Sequence, residues 1–406
     1  KEKKRRNGAT FWIIILLLLL VLLWLKNCGV FKSTIPSPPP TLPQQKVEVP
    51  SLPPQTTAVA PAVEKKTPKE AEKKPPAKPM ESKPLSRTYL EKQKGISFVT
   101  WEKDYYSTAT SEGALKKIAA IQANWVGLHT TWYQDTVDSL DIHPGEKSPS
   151  DDSLIHAIHS IHSLGLKVML KPQLDLIDTS SGEWRGSIEF GKENDWQAWF
   201  DSYTEFIVHY AQIAQEEKVE MLCIGTELTA VATLRPDLWK EKVIKSVRQI
   251  YEGPLTYAAN WYEEYTAVKF WDALDYAGLD PYFPLSDKDK PTFEEIKKGW
   301  ESHVAEIEKW QASISKPVIF TEIGYRSSTG AAKEPWEHMP GKEVDLQQQA
   351  DCYEALFETF WDKPWLRGVY WWEWGVSIKS GGESNRGFTP QNKPAEQVLT
   401  EWYKKK

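Results

Sequence analysis

The stretch VEMLCIGTE, residues 219–227, is an apolar run that ends on Glu227; KPVIFTE, residues 316–322, repeats the pattern and ends on Glu322. Short apolar runs set between helical patterns read as strands of a parallel sheet buried on both faces, and the residue just past such a strand emerges where ligands bind. Two carboxylates delivered that way point to glycosidic-bond chemistry. One carboxyl hands a proton to the leaving oxygen while the other, ionised, meets the sugar carbon. The competing account of either glutamate alone is a solvated or capping residue at the start of the next helix.

Outward from these two runs, the chain after Gly95 alternates short apolar segments with amphipathic ones. The strand candidates are Ile96 to Trp101, Trp125 to His129, Lys167 to Leu170, Met221 to Ile224, Leu255 to Ala258, Tyr276 to Leu279, Val318 to Phe320 and Gly368 to Trp371. Between them, stretches such as Ser153 to Leu164, Trp196 to Glu217 and Phe293 to Trp310 place apolar residues at three- and four-residue spacing. Eight strand-helix units predict an α/β fold, a (β/α)8 TIM barrel over residues 95–406 with its site on the loops after the strands. Glu227 then follows strand four and Glu322 strand seven, which face each other across the barrel mouth.

The first 94 residues are of another kind. Residues 1–10 are a basic segment, and an unbroken apolar run follows from Phe11 to Leu25. That pattern is an export signal, with a length between a signal-peptide core and a full span. Trp12 and Trp24 at its ends, and the lack of small residues for cleavage in LKNCGVFK, favour an uncleaved transmembrane signal-anchor over residues 11–27. The basic cluster stays cytoplasmic and everything downstream is exported, which predicts a single-pass, membrane-anchored protein with an extracytoplasmic domain. Residues 28–94 are rich in Pro, Lys and Glu and cannot build a core, so they read as a disordered linker or stalk.

The formal net charge of −6 argues against nucleic acid, whose phosphates need a basic face. The three cysteines show no zinc or disulfide spacing. All of the 20 tryptophans but Trp12 and Trp24 fall after residue 95; most pack in the core, and the remainder offer flat faces on which sugar rings stack. His156, His159 and His162 in IHAIHSIHS suggest a metal site, but three-residue spacing drifts around a helix and supplies no fourth ligand, so a surface stripe is the better account.

The segments IGTEL, KPQLD, EWRGSI, FTEIGYRS, YWWEWG and GFTPQNKPA together resemble glycoside hydrolase family 113, within the clan of retaining glycosidases on TIM barrels whose catalytic glutamates follow strands four and seven. The resemblance runs from about Gly95 to Trp402. It departs from the wider clan at the acid/base, where the usual Asn-Glu is Thr226-Glu227 here. It implies that Glu227 is the general acid/base and Glu322 the nucleophile, working by double displacement without a cofactor. Most characterised members of the family are endo-β-1,4-mannanases, which makes a mannan-type polysaccharide or oligosaccharide the expected substrate. Other β-glycan hydrolysis, exo-mannosidase action and transglycosylation use the same residues and stay open. A barrel that binds glycan without cutting it is disfavoured because both carboxylates are kept.

Around this pair, Asn260 ends strand five in TYAANW, and Tyr282 in GLDPYFP stands where clan members place a tyrosine that orients the nucleophile. Lys171 and Gln173 in MLKPQLD point the same way past strand three, toward the mouth, where sugar hydroxyls need donors and acceptors. Arg185 is placed to buttress the site or grip a hydroxyl, and Trp184 beside it offers a stacking face. In YWWEWG, strict alternation sets Trp371 and Glu373 on one face and Trp372 with Trp374 on the other, with Trp372 as the sugar platform. Trp101 and Trp132, after strands one and two, are further stacking candidates. No metal and no obligate partner chain are expected, and the protein reads as a monomer.

Overall fold

The computed structural model describes residues 91–405. The expected basic segment, anchor and nearly all of the linker lie outside the described residues. Among the described residues no helix is long and apolar enough to cross a membrane.

Eight parallel strands close into a barrel in sequence order. They are β1 (Gln93–Val99), β2 (Trp125–Gln134), β3 (Lys167–Leu176), β4 (Met221–Thr226), β5 (Leu255–Asn260), β6 (Ala277–Asp280), β7 (Val318–Ile323) and β8 (Leu366–Gly375). All eight expected runs are strands, so the TIM barrel is correct. The expected boundaries differ at most strands: β1 stops at Val99 rather than Trp101, and β4, β5, β7 and β8 each run two to four residues past their expected ends. β1 begins at Gln93, two residues before Gly95, and β2 and β3 run on in paired register as far as Gln134 and Leu176. Trp132, Lys171 and Gln173 are therefore strand residues rather than loop residues.

The barrel interior is plugged by Trp125, Met169, Met221, Cys223, Tyr276, Ile319 and Tyr370. Tyr370 fits because glycine stands opposite it: a Cβ on Gly95 would sit 2.4 Å from its ring, and one on Gly127 3.2 Å away. The outward faces of the strands join the helices in a second, larger core dense in aromatic rings. The helices start on ordinary local signals. Ser150 caps the helix Asp151–Ser163, and Thr292 with Glu295 forms a capping box on Phe293–Ile314.

Two irregularities position the site. Between Cys223 and Thr226, β4 advances three residues while β5 advances two; between Phe320 and Ile323, β7 does the same against β8. One extra residue in a strand re-aims the side chains beyond it. Both extra residues occur at the ends that carry Glu227 and Glu322. Gly225 makes the first possible, since any Cβ there would lie within 2.9 Å of Tyr203, Tyr257 and Trp239.

A third shift lies between β1 and β8, where Ile96 pairs Trp371 but Phe98 pairs Trp374. It breaks the strict alternation expected of YWWEWG. Trp371 and Trp374 both enter the outer core, Trp371 stacked on Tyr353 with ring centroids 3.7 Å apart, and Trp372 alone of the three turns to the mouth beside His129 and Trp101.

Candidate active site

Glu227 is the first residue past β4, and Glu322 is the next-to-last residue of β7; each is 8% exposed. A carboxylate so far out of water needs partners. Glu322 has two. The ammonium of Lys171, reaching up from β3, donates to Oε2 at 2.7 Å, and the hydroxyl of Tyr282 donates to Oε1 at 2.9 Å. Glu227 has two of its own. The guanidinium of Arg185 donates to Oε2 at 2.5 Å, and the amide of Asn260 donates to Oε1 at 2.9 Å. Each carboxyl therefore has both oxygens occupied by a donor, one of them cationic.

Burial works against a charge on Glu322, but the charge and hydrogen bond of Lys171, aided by Arg185, hold its carboxyl below the usual glutamate range. Lys171 is itself fully buried; burial opposes its charge, and Asp280 and Glu322 outweigh that and raise its pKa. Asp280, at the end of β6, lies 3.6 Å from the same ammonium and accepts from Thr321 at 2.6 Å. Burial pushes the Asp280 carboxyl well up against the pull of Lys171, which leaves Glu322 as the lower of the two carboxyls beside that ammonium. His129, under the mouth, is driven down to about 3 by burial and by the Lys171 charge, and its ring is neutral at any ordinary pH.

The other expected residues divide. Arg185 and Asn260 meet on Glu227, and Tyr282 meets Glu322. Lys171 is wholly buried and its ammonium is taken up by the carboxylates of Glu322 and Asp280, rather than standing open at the mouth as expected for hydroxyl recognition. Gln173 lines the interior one step higher, 8% exposed, in register with Thr131. Trp184 is 40% exposed, with the Arg185 guanidinium 5.6 Å from its ring centre and the backbone of Gly186 beneath it. Trp101, 45% exposed, stands edge-on to Trp372 at 6.4 Å. Trp132 is not brought to the mouth. It faces outward and packs on Phe206, His209 and Tyr210 of the helix Glu193–Glu216, because its even position along β2 puts it on the helix side.

Three buried residues beside the pair, His129, Asp280 and Glu264, and the partly buried Glu373 of YWWEWG were not singled out as site residues. Asp280 stands before Pro281 in GLDPYFP, a position that a turn alone would explain. The three histidines of the stripe are each paired with a carboxylate, Glu112, Glu217 and Glu220 in turn. Among the described residues no group of three or more His, Cys, Asp or Glu is arranged to hold a metal. Cys223 and Cys352 are both free and buried.

A closed parallel barrel that presents two buried carboxylates at the C-terminal ends of β4 and β7, rimmed by exposed tryptophan, has the architecture of a glycoside hydrolase. Residues 97–393 match the model of Glycoside Hydrolase Family 113, and the chain belongs to that family. Among solved structures, a GH113 β-1,4-mannanase in a complex aligns with a TM-score of 0.70 at 31% identity, covering 78% of this chain and all of that one. The GH113 β-mannanase AaManA from Alicyclobacillus acidocaldarius, in complex with ManMIm, aligns at 0.69 and 30% identity over 77% of this chain and 97% of that one. A β-glucuronidase from Ruminococcus gnavus shares the fold alone, with a TM-score of 0.54 at 13% identity, over 77% of this chain and half of its own. No curated protein matches the sequence.

Proposed function

We propose that this glycoside hydrolase is a retaining endo-β-1,4-mannanase in which Glu322 is the nucleophile and Glu227 the acid/base. The observation that carries the division of labour is position, Glu227 just past β4 and Glu322 at the end of β7, as in the retaining barrel glycosidases the sequence resembles. The Lys171 ammonium on Glu322 supports an ionised nucleophile there, although Arg185 stands on Glu227 likewise. The mannan-type substrate is supported by the two aligned β-mannanases at about one third identity.

In the first step an oxygen of Glu322 bonds to the anomeric carbon as the bond to the leaving oxygen breaks, and that oxygen takes the proton of Glu227. The ester so formed removes the negative charge from Glu322. Glu227, now a carboxylate, draws a proton from water as the water oxygen attacks the same carbon and releases Glu322. Trp372 is the platform for the sugar at the bond being cut, with Trp101 and Trp184 as further stacking faces and Gln173 within reach of a hydroxyl. The proposal extends to place: residues 11–27 anchor the chain in a membrane, and the barrel works on the extracytoplasmic side.

The test is the product of the full-length chain on galactomannan, glucomannan, mannooligosaccharides and β-glucan, with the first anomer read by proton NMR. Short mannooligosaccharides released as the β-anomer are expected. The α-anomer as first product would overturn double displacement, mannose alone would make the enzyme exo-acting, and cleavage of β-glucan alone would move the substrate. Glu322→Ala separates catalysis from binding: hydrolysis collapses while glycan is still retained.

A further inference from the structure

The segment NWYEEY, residues 260–265, offers two adjacent glutamates, and the fold treats them in opposite ways. Glu263 is exposed, whereas Glu264, the first residue of the short helix Glu264–Ala267, is fully buried. Its Oε1 accepts from the hydroxyl of Tyr257 at 2.5 Å; its Oε2 accepts from the backbone N–H of Asn260 at 2.9 Å and from the hydroxyl of Thr229 at 3.0 Å. The Tyr257 oxygen in turn accepts from the backbone N–H of Leu228 at 2.9 Å. One carboxylate thus ties down Leu228 and Thr229, the two residues after Glu227, together with Asn260, whose amide donates to Glu227.

Two further observations show why Glu227 needs such a tie. Its φ is +52°, a left-handed conformation that a side-chain-bearing residue keeps only where its surroundings over-determine it. The Asn260 amide is also fixed in one sense, because the N–H of Tyr262 donates to its oxygen at 2.7 Å and leaves the nitrogen to face Glu227. From this geometry we infer that Glu264 is a positioning residue that sets the aim of Glu227 through Asn260 and through the Tyr257–Leu228 link. The inference rests on Glu227 being the acid/base.

Three donors converge on Glu264, and an ionised carboxylate satisfies them all without offering a donor of its own. Glutamine in its place has one acceptor oxygen and turns an NH2 group against a hydroxyl or an N–H. The chain then leaves its left-handed turn and the amide of Asn260 swings away from Glu227.

The leaving group separates this role from a structural one. A 2,4-dinitrophenolate departs without a proton, while 4-methylphenolate needs one from the acid. In the full chain, Glu264→Gln is expected to lower kcat/KM for the 4-methylphenyl β-mannobioside by about tenfold or more, and for the dinitrophenyl analogue by less than about threefold. Tyr257→Phe, which keeps the ring's packing, gives the same dependence in weaker form and serves if the first variant does not fold. Equal losses on both substrates would overturn the inference. So would a crystal structure of the variant that keeps the Asn260 nitrogen 2.9 Å from Glu227, and this holds whether or not any substrate turns over. A wild-type chain that cleaves neither substrate counts against the proposed activity instead, and the crystal structure then decides the inference.

Discussion

The ammonium of Lys171, itself wholly buried, stands 2.7 Å from Oε2 of Glu322, which is only 8% exposed. Neither group would hold its charge there alone. Lys171→Met removes the cation and leaves Glu322 beside Asp280, so the Glu322 pKa moves up from its depressed position. The acid limb of the kcat/KM profile should move to higher pH, and unfolding should become easier by about 3–5 kcal/mol, as when one partner of a buried pair is deleted. A pH-rate profile with an unmoved acid limb would show that something other than Lys171 keeps Glu322 ionised.

On the proposed mechanism, Glu227→Ala removes the proton donor but not the nucleophile. Hydrolysis of unactivated mannan should fall by about 10²–10⁴-fold, while kcat/KM for a dinitrophenyl mannoside changes little. Added azide, which needs no general base, should restore turnover and give the β-configured mannosyl azide. Recovery of the α-azide would contradict retention.

The tryptophans of β8 make opposite predictions from adjacent positions. Trp372→Ala should raise KM and leave the melting temperature within a few degrees of the parent. Trp371→Ala should cost about 3–5 kcal/mol of stability, because its ring is stacked inside the core. Trp132→Ala should behave like Trp371→Ala and leave KM unchanged. Calorimetry together with initial rates distinguishes the two classes.

Glu373 lies between Trp372 and Trp374 in the same strand, with its Oε2 shut off from solvent and without a hydrogen bond. Burial first, and the charge of Glu322 second, push its carboxyl up to about 7. Between about 4.5 and 7 the folded chain holds a proton that the unfolded chain has released, so this group favours folding most below that window and loses its contribution as pH rises through it. Glu264, raised to about 7 by burial against the bonds it accepts from Tyr257, Asn260 and Thr229, acts in the same direction, and it meets all three donors as a carboxylate only above that pH. Glu373→Gln should make the fall of melting temperature between pH 5 and 7 shallower, with the remaining slope due in part to Glu264. An identical slope in parent and variant would show that Glu373 has an ordinary pKa.

The barrel was legible because eight apolar runs of strand length recur at intervals that leave room for one helix each. The two glutamates were legible because each closes such a run. Arg185, Asn260 and Tyr282 were placed near them by their positions after strands three, five and six. What surrounds Lys171 was not legible. Its neighbours Asp280 and Glu322 come from β6 and β7, and no alternation within MLKPQLD tells whether an inward lysine meets hydroxyls or carboxylates. Trp374 and Trp132 failed as readings for two different reasons. An inserted residue in β8 shifts the pleat, and β2 runs on as strand beyond the expected end, which assigns Trp132 to the helix side. Glu263 and Glu264 look alike in sequence, and only the turn after β5 decides which one goes under the sheet.

The aromatic plug formed by Trp125, Tyr276 and Tyr370 has a consequence for traffic through the enzyme. The far end of the barrel is closed, so one doorway above Glu227 and Glu322 must serve the arriving chain, the departing fragment and the water that completes the cycle. While the departing fragment lingers there, water waits behind it, and a second sugar chain competes for the same threshold. On the proposed double displacement, whether the sugar held on Glu322 goes to water or to another hydroxyl would be settled by which molecule next occupies that opening.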